Sequence, residues 1–154
     1  MERSALGLFM RDSSLWTYPI VNLTHILGIA SLFGATLIID LRLLGVWRRV
    51  PLAPLADAAV PVAKAGFLVA ATTGVALLAT KATEYAGNPY LLIKFAAIAL
   101  GLANVYVLSL LPAWRARRER APSQAEARWL TFMGGISLAC WLAAVAAGRL
   151  IAYW

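Results

Sequence analysis

The only histidine of the chain, His25, stands in "VNLTHILGIA", a run otherwise built of residues suited to lipid. An imidazole in that setting has three kinds of use. It can ligate a metal or haem iron, take part in proton or quinone chemistry, or hydrogen-bond a neighbouring helix through Asn22, a serine or a backbone carbonyl. Lys94 interrupts the apolar "NPYLLIKFAAIALGLANVYVL", Trp141 and Arg149 interrupt "LTFMGGISLACWLAAVAAGRLIAYW", and Asp40 closes the run that holds His25.

Each of these side chains has a chemical and a plainer reading. Lys94 and Arg149 either hold an anionic group or snorkel to the nearby interface. Trp141 either packs against glycines of other spans or walls a ligand pocket. Asp40 reads as half of an ion pair with Arg42, or with Lys64 across the first loop, and Asn104 as an interhelical amide contact. Gly28 lets either a neighbouring helix or a flat ligand approach the backbone.

Other chemistries lack their residues. There is no phosphate loop, no Ser–His–Asp arrangement and no His/Asp/Glu cluster for a di-metal site. Met1, Met10, Met133, Cys140 and His25 form no spaced set of soft copper ligands. Cys140, being alone, excludes an internal disulfide and a thiolate zinc site, and reads as a small buried hydrophobe.

The elements that must position these residues follow from hydropathy. Of the 154 residues, 62% are hydrophobic and mean hydropathy is +0.75. Four apolar runs, at 17–39, 58–80, 90–111 and 130–151, each approach the ~20 helical residues that an apolar layer of about 30 Å requires. The expected fold is all-α, a single membrane domain over 1–154 forming a four-transmembrane-helix up-down bundle. A cleaved signal peptide does not suit the first run, because Arg42, Arg48 and Arg49 occupy the place of a small-residue cleavage site. Pro51, Pro54 and Pro61 in "VPLAPLADAAVP" are expected to break the chain between the first two helices, and "GNP" to turn it before the third. Both connections suit antiparallel neighbours.

Net charge is +7 and the pI near 10.2. Nine of the fourteen Lys and Arg fall in the first and third loops, five on the opposite side. By the positive-inside rule those loops are cytoplasmic and both termini lie outside, in the periplasm if the membrane is a bacterial inner membrane. Trp16 and Trp154 at the outer ends, with Trp47, Trp114 and Trp129 at the inner ends, form the two aromatic belts. The basic "WRARRERAPSQAEAR" has no aromatic interleaving beyond its flanking tryptophan. It reads as a topology determinant in contact with anionic lipids at the cytoplasmic face, not as a nucleic-acid site.

Helical spacing puts Tyr18, Asn22, His25, Thr36 and Asp40 on one side of the first span, with Gly28 among them. Lys94 and Gly101 share a stripe of the third span, and Gly134, Ser137, Trp141 and Gly148 one of the fourth. At ~1.5 Å of rise per residue, His25 lies about 5 Å outward of the midplane, Lys94 about 10 Å and Arg149 about 13 Å, with Lys81 and Glu84 at the outer surface. Cations thus exceed carboxylates around a buried imidazole. A b-type haem would match this arrangement, with iron on His25 and propionates at Lys94 and Arg149.

The segments "WTYPIVNLTHILGIASLFGATLIIDLRLLG", "NPYLLIKFAAIALGLANVYV" and "ISLACWLAAVAAGRLIAY" resemble an uncharacterised family of four-helix bacterial inner-membrane proteins over most of the chain. More distantly, a histidine before small residues in span one and a lysine early in span three are similar to copper-resistance D-type membrane proteins and to four-helix haem-dependent protoporphyrinogen oxidases. That resemblance implies His25 as axial ligand and Lys94 as a haem- or substrate-facing cation. With one histidine per chain, bis-His ligation would need a second subunit, and five-coordinate iron an open face.

The expected function is membrane electron transfer or oxidation of a small hydrophobic substrate by a b-type haem protein. Haem would rest on His25, Gly28, Lys94, Arg149 and Trp141, in a homo-oligomer or as a membrane-complex subunit. A non-catalytic scaffold or lipid-binding subunit, and a small transporter or ion pathway with His25 as its proton-linked residue, are the alternatives.

Overall fold

The computed structural model describes residues 16–80 and 87–153, and among them all regular structure is helical. Four helices are long and apolar enough to cross a membrane: α1 Thr17–Leu43, α2 Leu52–Thr80, α3 Pro89–Leu110 and, after the short α4 Pro112–Arg115, α5 Gln124–Leu150. A turn of 3₁₀ helix, Ile151–Tyr153, ends the described chain. Arg3, Arg11, Lys81, Glu84 and Trp154 lie outside the described residues.

Helices form here because a backbone in lipid has no water to bond and must satisfy its own N–H and C=O groups locally. The helices outrun the apolar runs for capping reasons. α2 begins at Leu52, so of the three prolines only Pro51 breaks the chain. Pro54 falls in the first turn, where its missing N–H had no intrahelical partner. Pro61 lies inside the helix, and a membrane-spanning helix tolerates the one bond it removes. α5 begins at Gln124 rather than 130 because Ser123 and Glu126 form a capping box, with Arg120 forked onto Glu126 at 2.6 and 2.7 Å.

At the start of α3, Gly87 takes φ +90°, and Asn88 accepts a hydrogen bond from the Tyr90 N–H at 2.9 Å. Pro89 follows at the position where its fixed φ is already helical. Asn88 is 5% exposed, and its amide also reaches the Ile151 carbonyl beyond α5 at 3.5 Å. Asn88→Ala is therefore expected to lower unfolding free energy by about 1–2 kcal/mol, measured by denaturant titration in detergent. A change below about 0.5 kcal/mol would mean that Pro89 alone sets this end.

α1 packs along α2 and, on another face, against α5; α5 packs in turn against α3. α2 and α3, though consecutive, share almost no contact along their lengths. The bundle is thus an open row in the order α2, α1, α5, α3, and α2 and α3 are not the antiparallel neighbours that their short connection suggested. The small-residue faces explain it: Gly66 and Gly74 of α2 are committed to α1, and Gly101 of α3 to α5. A core of Ala35, Ile39, Leu43, Ala59, Leu108, Leu130 and Met133 closes the end that carries loops one and three.

Candidate functional site

α1 and α2 cross at Gly28 and Gly66. A Cβ on Gly28 would stand 2.8 Å from the Ala70 nitrogen, and one on Gly66 would stand 2.6 Å from the Leu32 nitrogen. Two backbones are in direct contact, and the room at Gly28 is filled by a helix.

About one turn toward the N-terminus of α1 the same crossing seats His25. Its ring lies over Gly74, whose absent Cβ would be 3.0 Å from the imidazole Cε1. Nδ1 is 2.9 Å from the Thr73 hydroxyl, and that hydroxyl is 2.5 Å from the Val69 carbonyl. A hydroxyl has one proton. At 2.5 Å that proton must lie between the two oxygens, since lone pairs would otherwise face each other. Thr73 then accepts from His25, so Nδ1 carries a proton and, in the neutral imidazole, Nε2 keeps its lone pair. The Ala70 carbonyl stands alongside the ring.

Lys94 of α3 lies across Gly148 of α5, with Nζ 3.5 Å and Cε 3.6 Å from the place of a Cβ. Among the described residues it has no hydrogen-bond or ion-pair partner, and it is near enough for its charge to act on His25. Arg149 turns elsewhere: its Nη2 donates to the Tyr153 hydroxyl at 2.5 Å, and its guanidinium sits 4.8 Å over the Tyr153 ring. Lys94 thus lies within electrostatic range of His25, and Arg149 is exposed with its own aromatic partner.

Trp141 is 4% exposed and packs on Gly101, whose Cβ would be 3.4 Å from the indole. Its Nε1–H has no partner among the described residues. Asn104 donates to the Met133 carbonyl at 3.0 Å, the interhelical bond its amide required.

Asp40 departs from expectation. It forms no ion pair: Arg42 donates instead to the Val50 carbonyl at 2.7 Å and the Arg48 carbonyl at 3.2 Å, folding loop one back on the helix end. Asp40, 3% exposed, faces the Ser137 hydroxyl of α5, and its Oδ2 has no partner among the described residues. α5 approaches so closely at Gly134 that a Cβ there would meet Leu43 at 2.8 Å, which excludes a long cationic side chain from the interface.

Thr73 is the residue that sequence reasoning passed over. Its signal was present in "AATTGVALL", where a hydroxyl and a glycine lie seven and eight residues beyond Gly66 and so on nearly the same helical face.

Among the described residues no three His, Cys, Asp or Glu side chains group as a metal site. No family model matches the chain, and neither a curated protein nor a solved structure matches it.

Proposed function

We propose that this is a multi-pass protein of a bacterial inner membrane in which His25 ligates a b-type haem, serving electron transfer or oxidation of a small hydrophobic substrate. The observation that carries the reading is the Thr73–His25 hydrogen bond. A ligating histidine donates its second ring nitrogen to an acceptor, which fixes the tautomer and raises the basicity of the other nitrogen. Here Nδ1–H meets Thr73 and Nε2 is left with its lone pair.

The donor chemistry fits the group. A porphyrin brings four nitrogens of its own, so one imidazole suffices where a bare ion would need a cluster. Lys94, without an anionic partner among the described residues and within electrostatic range of His25, is the residue to hold a propionate. Gly28 and Trp141 are taken up by helix packing and Arg149 by Tyr153, so His25 and Lys94 are the residues this chain offers. A second axial base would come from another copy in an oligomer. When bound, the haem would supply one-electron redox chemistry. Thr73 would orient the imidazole, and Lys94 would balance the propionate charge.

The positive-inside rule supports placing loops one and three in the cytoplasm, which puts His25 in the periplasmic half. A proton-linked pathway is the second reading. It is favoured by the buried, unpartnered Asp40 Oδ2 and Trp141 Nε1, which lie on or against one face of α5.

The test is a visible spectrum of the purified protein, oxidised and dithionite-reduced, from haem-replete cells. The wild type is expected to show a Soret band that shifts on reduction. His25→Ala should lose it, while Thr73→Val should retain it with haem affinity lowered about 10- to 100-fold. A colourless, folded wild type would overturn haem binding and leave transport or scaffolding.

A further inference from the structure

We propose that the cavity between loop one and the start of α5 binds the headgroup phosphate of an anionic phospholipid. This site is remote from His25 and independent of what His25 ligates. The cavity measures about 390 Å³; Leu43, Leu52 and Leu130 make its walls apolar, and among the described residues Arg42 and Arg48 are its only charged lining and no carboxylate lines it.

The two guanidiniums are held differently. Arg42 uses Nε and Nη2 on the Val50 and Arg48 carbonyls, which shapes the loop and leaves Nη1 without a partner. Arg48 folds back over Gly45, with guanidinium atoms 3.0 Å from the place of a Cβ. Gly45 has φ +98°, a backbone conformation that favours glycine. Arg48 donates no hydrogen bond and forms no ion pair among the described residues. The Thr131 hydroxyl donates to the Leu43 carbonyl at 2.9 Å, joining α5 to the end of α1 so that the walls stand preformed.

Three other arginines at this end have carboxylate partners, two of them sharing one. Arg117 and Arg118 pair with Asp57, and Arg120 with Glu126. Among the described residues Arg49, Arg115, Arg128 and Lys64 lack carboxylates but stand outside the cavity. Unbalanced positive charge thus meets apolar walls where the spanning helices end. An acyl chain beside a phosphodiester presents that same pairing, and guanidinium forks match phosphate oxygens. Inorganic phosphate shares the headgroup's chemistry but has nothing for the leucine walls.

The experiment is native mass spectrometry of the full chain in neutral detergent, titrated with dioctanoyl phosphatidylglycerol, dioctanoyl phosphatidylcholine or inorganic phosphate. Phosphatidylglycerol is expected to bind most tightly, and Arg48→Gln to weaken it about tenfold, the size of one charge-assisted contact. Arg49→Gln, which removes an equal charge from the same loop, should change affinity less than about twofold. Ala127→Leu fills the cavity with all charges kept and should also weaken binding about tenfold, so the proposal stays testable if Arg48→Gln misfolds. Equal losses in Arg48→Gln and Arg49→Gln would show diffuse surface attraction and overturn the site. Inorganic phosphate binding as tightly as the lipid would overturn the lipid assignment.

Discussion

Gly66→Ala is expected to destabilise the protein by about 2–3 kcal/mol in denaturant titrations in detergent, at the upper end of overpacking penalties. The added methyl would lie 2.6 Å from the Leu32 nitrogen, 2.8 Å from the Gly28 oxygen and 3.1 Å from the Leu32 Cα. All three are backbone atoms of a spanning helix, so no side-chain rotation relieves the contact. α1 and α2 must separate by about 1 Å to reach ordinary carbon contact distances. A gap of that size forfeits a quarter to a half of each dispersion contact along the crossing. Two apolar helices in lipid have little else to hold them together. Separation would also draw Thr73 from His25 and loosen the imidazole. Gly34→Ala is the control: nothing lies within 4 Å of its added methyl, so it should be neutral or raise stability by up to about 1 kcal/mol through helix propensity. Equal effects at the two glycines would refute backbone contact as the reason for Gly66.

Trp141→Ala is expected to cost about 3 kcal/mol, less than the largest such losses in soluble cores because lipid and interior are similarly apolar. What remains is the void. Gly101→Leu alone should cost about 2 kcal/mol, since the indole 3.4 Å away has to give. The double variant should recover much of both losses, the leucine occupying the space of the ring, with a favourable coupling of about 1–2 kcal/mol. Additive losses would exclude mutual filling of one space. A Trp141→Ala variant of unchanged stability that altered the spectrum of a bound pigment would instead make the indole a ligand wall.

Much of the fold is legible in the sequence because it is decided locally. The four spans follow from hydropathy, and their helical form from the requirement that backbone bonds close within each segment. Helix ends are less legible, since caps and prolines decide them: Pro54 and Pro61 look like breakers in "VPLAPLADAAVP" and are carried within α2. Of the polar stripe of α1, His25 and Asp40 meet other helices and Thr36 is buried, whereas Tyr18 on the same stripe is 43% exposed.

Partners were not legible. Asp40 looks like a mate for Arg42, two residues on, but positions i and i+2 point to different sides of a helix. Asp40 turns to Ser137 while Arg42 turns to the loop. His25 announces itself as chemistry, but the hydroxyl that sets its tautomer lies 48 residues away. Arg149 and Lys94 are similar as cations in a sequence, and only the placement of Tyr153 and Gly148 separates their surroundings.

By itself, then, the sequence determined the number of spans, their helical form and the faces that avoid lipid, because burying backbone and polar groups in hydrocarbon is a cost each segment meets alone. Only the tertiary structure decided that the helices stand in the row α2, α1, α5, α3, and which side chain fills the space at each glycine. In lipid no difference in hydrophobicity ranks one helix pairing over another. The choice falls to dispersion between small-residue faces and to a few interhelical hydrogen bonds, and both exist only once the helices have met.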